Sequence, residues 1–485
     1  MTAIQIHPLD NVEVLLKPCG DIPAGHKLAL RDIKAGEKIV KYGFPVGVAT
    51  RDIKAGEWVH THNVKTALDE TAEYRYDPAP DADDCDSPRL KTAGNLSEFS
   101  GYLRADGRAG VRNEIWIIPT VGCVNSVAAK LAVDCQALVG GAVEGIFAFP
   151  HPYGCSQTGA DHARTRKLLA ALCRHPNAGG VLVLSLGCEN LTAAQFREAL
   201  GPVDGNRVKF LVCQDVADEL AEGARLIREL ANTMKYDRRV SLPVSKLVVG
   251  MKCGGSDGLS GITANPAVGR FSDLLIAAGG STVLTEVPEM FGAEPMLFNR
   301  AVSREVFNRS VRMVLDFKRY FTSHGETVYE NPSPGNKAGG ITTLEDKSCG
   351  CVQKGGCAQV ADAVGYADPV VAPGLNLMSG PGNDLVSATA LTAAGAQLIL
   401  FTTGRGTPFG APAPTVKISS NTPLFEKKRN WIDFNAGTIA DGKETLDEVS
   451  RRLFAYVLLV ASGERTCAER TGARGIAIFK DGVTL

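Results

Sequence analysis

The rhythm of apolar and polar positions changes twice along this chain. Through residues 1–75 the apolar runs are short and alternate with polar residues, as in KIVKYG after Arg31–Glu37 and WVHTHN after Arg51–Glu57. The segments before those two runs are the same heptapeptide, RDIKAGE, each ending in a turn-forming Ala-Gly-Glu. A repeat this short cannot hold a helical unit, but it suits one strand–turn–strand step, so 1–75 is predicted to be a compact β module. Residues 76–100 are rich in Asp, Pro and Ala and read as an exposed linker. From 101 to 240 the pattern is different: continuous apolar strands (EIWIIP, GIFAFP, GGVLVLSLG, KFLV) alternate with helical stretches. Strands without a polar face must be covered on both sides, which predicts a parallel-sheet α/β domain. Residues 241–485 form a third, less regular and larger α/β region, with long Gly/Pro/Asn loops at 331–340 and 372–384. Loops of that length in a compact domain are usually functional.

Charge narrows the class of ligand. Among 485 residues, 52 lysines and arginines face 53 acidic residues, a net charge of −1. Without a surplus of positive charge, neither nucleic acid nor a membrane surface is the expected partner, and a small molecule is. No uncharged apolar run reaches the roughly 18 residues a spanning helix needs, and the opening MTAIQIHPLDNVEV lacks a secretory pattern. A cytoplasmic protein is expected, and a homo-oligomer is compatible with the sequence. In a reducing compartment its 13 cysteines are expected to be thiols or ligands rather than disulfides.

Four cysteines fall where strands end: Cys123 in TVGCVN, Cys155 in HPYGCSQ, Cys188 in LGCEN and Cys253 in KCGGSD. Ligands of open parallel sheets bind beyond the carboxyl ends of the strands. One cysteine there is unremarkable, since free Cys is often simply buried. Repeated Gly-Cys pairs could hold iron, as a single ion or as a cluster with three cysteines and one open corner. His60 and His62 in HTHN would share one face of a strand and could bind one divalent ion, or could be solvated edge residues. His151 shares the loop of Cys155. The Gly-rich segments 252–266, 331–340, 379–384 and 402–410 match no phosphate-binding fingerprint; their Asn, Ser, Thr and Asp content suits a polyhydroxylated acid. Asn265 and Asn336 are expected to bind sugar oxygens and Arg405 the carboxylate. Arg112, with Arg104 and Arg108, stands in reserve for the carboxylate or for interdomain pairs. Glu286 and Glu289 could share acid–base work or be ion-paired.

Together GYLRADGRAGVRNE, IPTVGCVN, HPYGCSQ, VLSLGCEN, KCGGSDGLSGITANPAVGRFSD, TEVPEMFGAE, NPSPGNKAGGITTLEDKS, FTTGRGTPFG and WIDFNAG resemble the altronate/galactarate dehydratase family over nearly the whole chain. The HTHN, IPTVGCVN and Gly-Cys-Ser segments are similar to its altronate branch. One departure is Cys349-Gly350-Cys351, where that branch has Leu-Gly-Cys, so Cys349 is not expected to be an obligatory ligand. The resemblance implies a SAF-type β-clip at the N-terminus ahead of the two α/β domains. It implies a hydro-lyase of sugar-acid catabolism that needs Fe2+ or Mn2+, with an iron–sulfur cluster the lesser expectation. The reaction implied is loss of water from D-altronate to give 2-dehydro-3-deoxy-D-gluconate; galactarate or another sugar acid is the alternative substrate, and a sulfo-lyase or a non-catalytic sugar-acid-binding regulator the rival class.

Such a reaction removes a weakly acidic C–H beside a carboxylate, so a cation must neutralise growing charge and a base must take the proton. Lys252 or His151 is the expected base, on the view that burial lowers a lysine's pKa, with Asp257 orienting it or binding a hydroxyl. His60, His62, Cys155, Cys188 and Cys253 are the expected metal ligands.

Overall fold

The computed structural model describes residues 2–68, 74–78, 97–328 and 332–483, so most of the expected linker lies outside the described residues. In the N-terminal module short strands form two antiparallel sheets, one of four strands and one of three. The repeat explains its shape, because the two RDIKAGE copies clasp each other. Ile33 bridges Ile53 through the backbone. Lys34 reaches Asp52 at 2.9 Å and Lys54 reaches Asp32 at 2.8 Å. Those ion pairs are exposed and contribute little; buried Ile33, Ile53, Val46 and Val59 hold the module together.

The second domain is built on a parallel sheet of β1 (Glu114–Pro119), β2 (Gly145–Ala148), β3 (Ala178–Ser185) and β4 (Val208–Val212), in the order β2-β1-β3-β4. Alternate residues of β1 feed separate cores on its two faces: Ile115 and Ile117 pack on one side, Trp116 and Ile118 on the other. That is why the strand reads as an unbroken apolar run.

The third sheet has seven parallel strands: β5 (Val248–Cys253), β6 (Ser281–Leu284), β7 (Val360–Val364), β8 (Gly374–Met378), β9 (Leu398–Thr403), β10 (Thr415–Ser419) and β11 (Phe434–Asn435). Their spatial order is β7-β8-β6-β5-β9-β10-β11. After β5 the chain builds outward on one side, then crosses to the other side with β9. The switch point therefore lies between β5 and β9, and a crevice opens beyond their carboxyl ends. The small module sits at this crevice. Lys27 donates to Asp346 at 2.7 Å and Lys41 donates to it at 3.0 Å, all three side chains being buried.

The second domain is sealed to the C-terminal region by Arg112, whose guanidinium grips Glu469 through Nε at 2.7 Å and Nη2 at 2.9 Å. Against the expectation of thiols throughout, Cys357 is disulfide-bonded. No helix among the described residues is long and apolar enough to cross a membrane.

Candidate active site

The end of β5 carries a buried network of opposite charges. Lys252 Nζ donates to Glu286 Oε1 at 2.9 Å and to Asp384 Oδ1 at 2.6 Å. Glu286 also accepts from the Cys253 amide at 2.9 Å. To do this Glu286 adopts a left-handed backbone, φ 68°, a conformation that costs a non-glycine residue about 1–3 kcal/mol. Both carboxylate oxygens are bonded, and those bonds hold the strain in place. Burial pushes the Lys252 pKa down, but Glu286 and Asp384 outweigh it and hold it above the ordinary lysine value. Lys252 is therefore a charged ammonium, and the expected lowering towards neutrality does not occur: burial arrives together with two carboxylates. Of those partners Glu286 is 1 % exposed and Asp384 32 %, so only Asp384 faces the crevice. Burial and the nearby charge of Glu289 raise the Glu286 pKa. Glu289 is held down in spite of burial, because Lys347 and Lys354 surround it.

Beside this network the Cys253 sulfur lies 2.8 Å from Glu289 Oε2 and 3.4 Å from the Cys351 sulfur. These three donor atoms lie within 4.8 Å of one another and are buried. Two sulfurs and a carboxylate suit a borderline-soft divalent ion, so the donor set fits a metal. Binding one would need deprotonated thiols, and Lys354, whose Nζ donates to the Cys253 sulfur at 2.9 Å, would have to give way. Neither Glu289 nor Cys351 was identified as a ligand from sequence. The signal was present in Cys349-Gly350-Cys351, but which cysteine faces Cys253 depends on the helix Leu344–Cys351. Its buried partner Cys349 has a pKa raised by burial and by Asp346, and it is not among those donors.

The loops above β5 and β9 form the polar floor of the crevice. Asp257 accepts from the Ser260 amide at 2.9 Å, the Ser260 and Ser420 hydroxyls at 2.8 Å, and Asn421 Nδ2 at 3.1 Å. With so many donors fixed on it, its carboxylate organises the loop. Asn336 donates to the Ser256 carbonyl at 2.8 Å, and buried Ser256 Oγ has no partner. Asn265 is wholly buried between the Gly350 carbonyl and Thr402, so it shapes the wall. Arg405 is exposed at the rim, with Nη1 3.3 Å from the Gly335 carbonyl.

The module supplies the roof. Its Gly25 carbonyl packs directly on Gly258 and Gly340, where a Cβ would lie 1.9 and 2.4 Å away. Beside it His26 and His60 stand with ring centroids 4.9 Å apart. His26 Nδ1 accepts from the Trp58 indole at 3.2 Å, so a neutral His26 carries its proton on Nε2. His60 Nδ1 is buried without a hydrogen-bond partner, and the His26 ring has the Ala338 backbone beside it. Burial lowers both pKa values, that of His60 to about 4, with Lys27 adding to the effect. The strand expected to carry His60 and His62 ends at Val59; His62 sits in a turn, exposed. His26, not singled out from sequence, takes the place beside His60. Only the fold brings them together.

The remaining candidates lie elsewhere. His151 is buried with both ring nitrogens engaged, Nε2 on the Pro119 carbonyl at 2.8 Å and Nδ1 accepting from Tyr153 at 3.2 Å. Cys123, Cys155 and Cys188 sit at the ends of β1, β2 and β3, on a different sheet from Cys253. Arg112, spent on Glu469, is an interdomain tie.

A β module roofing the switch-point crevice of an α/β sheet, with an acid–lysine network beneath, defines an enzyme for a small polar substrate. Three adjoining segments match described families: residues 16–67 the altronate/galactarate dehydratase SAF domain, 101–235 the D-galactarate dehydratase/altronate hydrolase second domain, and 244–484 the D-galactarate/altronate dehydratase C-terminal domain. The chain is 50% identical to altronate dehydratase of Bacillus subtilis, over 99% of both chains, and 49% identical to altronate dehydratase of Escherichia coli, over 100% of both. It is 33% identical to galactarate dehydratase (L-threo-forming) of Escherichia coli, over 98% of this chain and 96% of that one. The chain belongs to the altronate/galactarate dehydratase family.

Proposed function

We propose that this chain is a cytoplasmic hydro-lyase that removes water from D-altronate to give 2-dehydro-3-deoxy-D-gluconate in sugar-acid catabolism. The observation that carries the reading is the Lys252–Asp384 pair at the end of β5, in the region on whose loops the module packs through Gly25. The full-length likeness to proteins named altronate dehydratase supports the substrate. Fe2+ or Mn2+ held by Cys253, Glu289 and Cys351 would supply Lewis acidity to the substrate. In this reading Asp384 takes the C2 proton and the Lys252 ammonium offers one to the departing C3 hydroxyl. His26 Nε2–H and Ser256 Oγ bind sugar oxygens, while Arg405 at the rim pairs with the carboxylate. Asp257 and Asn336 hold the loops, and the module excludes water.

The test is a keto-acid assay with ferrous or manganous ion over a panel of aldonic and aldaric acids. Product from altronate in preference to galactarate is expected. Turnover of galactarate alone, or binding without any keto product, would refute the assignment.

A further inference from the structure

The rule that locates the first crevice also locates a second. In the second domain the chain passes from β1 to β2 on one side and then to β3 on the other, so its switch point lies between β1 and β3. The loops leaving β1, β2 and β3 each carry a Gly-Cys pair: Gly122-Cys123, Gly154-Cys155 and Gly187-Cys188. They are locked together. The Gly122 amide donates to the Tyr153 carbonyl at 2.9 Å, and the Leu191 amide donates to the Gly154 carbonyl at 3.1 Å. Asn190 Oδ1 accepts from the Ser156 amide at 2.7 Å and lies 3.4 Å from the Cys155 sulfur. Gly154, at φ +97°, packs so closely that a Cβ would stand 1.9 Å from the Thr120 carbonyl. Buried Glu189 ties two of the loops, accepting from Thr120 Oγ1 at 2.8 Å and the Gly187 amide at 2.6 Å.

This rigid mouth presents its thiols outward, unlike six other cysteines among the described residues. Cys123 and Cys188 are exposed and Cys155 is half-buried, whereas Cys135, Cys173, Cys253, Cys349, Cys351 and Cys467 are buried. Their three sulfurs do not all lie within 4.8 Å of one another, unlike the donors at Cys253. That spread is too wide for a single tetrahedral ion, whose thiolates bind at about 2.3 Å. A cluster spans such a set where a single ion does not, because each thiolate binds a different iron.

We infer that Cys123, Cys155 and Cys188 ligate an iron–sulfur cluster with one iron open to an oxygen ligand, at a site separate from the crevice of β5 and β9. The inference does not rest on the altronate reading, because it concerns cluster retention and not turnover. On binding, each thiol loses its proton and bonds one iron through its sulfur. The cluster core is supplied as equal parts ferrous and ferric iron with sulfide, so no electron is required from the protein.

Anaerobic reconstitution of the full chain with those reagents tests it. Wild type should turn brown, absorb near ~400 nm and hold acid-labile sulfide. Cys123→Ser/Cys155→Ser/Cys188→Ser should hold about tenfold less labile sulfide, while Cys19→Ser, which removes an exposed thiol elsewhere, should match wild type. Alkylation followed by peptide mass analysis gives a second readout free of mutational effects on folding: loading should protect Cys123, Cys155 and Cys188. Absence of labile sulfide in loaded wild type, or protection falling on Cys253 and Cys351 instead, would overturn the inference.

Discussion

Replacing Asp346 by Asn tests what holds the β module over the active site. The Asp346 carboxylate has two jobs with different geometry. Its Oδ2 accepts from Lys27 at 2.7 Å, the Thr342 amide at 3.0 Å and the Thr342 hydroxyl at 3.1 Å. Its Oδ1 accepts from Lys41 at 3.0 Å. An asparagine keeps an acceptor for the first set only by pointing its amide NH2 at the Lys41 ammonium, donor against donor. Lys41 is then a charge with 2 % of its side chain exposed and no carboxylate, only Tyr42, beside it. Removing one member of a buried pair costs about 3–5 kcal/mol, most of it the uncompensated charge left behind. Adding Lys41→Met should restore much of the loss, because the amide then faces an apolar chain. The stability also depends on pH with a definite sign. Lys27 and Lys41 hold the Asp346 carboxyl well below the usual carboxylate range despite its burial, so its contribution is present above about pH 4 and lost on further acidification. The variant should show a shallower acid limb than wild type. Hydrogen exchange across Lys27–Ala29 and Leu344–Cys351, with denaturant midpoints, measures both effects. A loss below about 1 kcal/mol, the worth of a surface pair, would refute the reasoning.

Lys252→Met should lower kcat by at least about a hundredfold in the keto-acid assay, since it removes the proton donor and leaves Glu286 buried beside Glu289; near-normal turnover would exclude a role in proton transfer. Cys253→Ser/Cys351→Ser should lose bound Fe2+ or Mn2+, whereas His60→Ala should lose activity and keep the metal; the opposite pattern would move the ion to the module. Arg112→Ala should cost about 3–5 kcal/mol of stability with KM unchanged, and a raised KM at normal stability would return Arg112 to the substrate carboxylate. Gly154→Ala should destabilise the second domain by about 1–3 kcal/mol, read as a lower thermal midpoint, because φ is positive there and the Cβ meets a backbone carbonyl.

Much of the architecture was legible because periodicity reports burial directly. The unbroken apolar run of β1 meant a sheet covered on both faces, and Trp116 and Ile117 pack into opposite cores. The RDIKAGE repeat meant a small β unit, and its copies pair. The Gly-rich segments at 252–266 and 402–410 and residues 332–340 pack against one another, the Gly258 amide donating to the Gly339 carbonyl and the Gly404 amide to the Gly255 carbonyl. Charge states were not legible. A lysine at a strand end reads the same whether its burial is met by apolar side chains, which lower its pKa, or by Glu286 and Asp384, which raise it.

The local order of residues by itself determined which segments form the sheets, which faces are covered, and that Gly-Cys pairs sit at strand ends. It also carried the motifs of the family. Only the tertiary structure decided that those cysteines belong to two sheets, that Cys351 and not Cys349 meets Cys253, and that His26 and not His62 stands beside His60. Strand and helix patterns depend on neighbours a few residues apart, which a chain displays openly. Crossing order and the docking of one module on another depend on contacts between residues hundreds of positions apart, such as Lys27 with Asp346, and no local pattern encodes that distance.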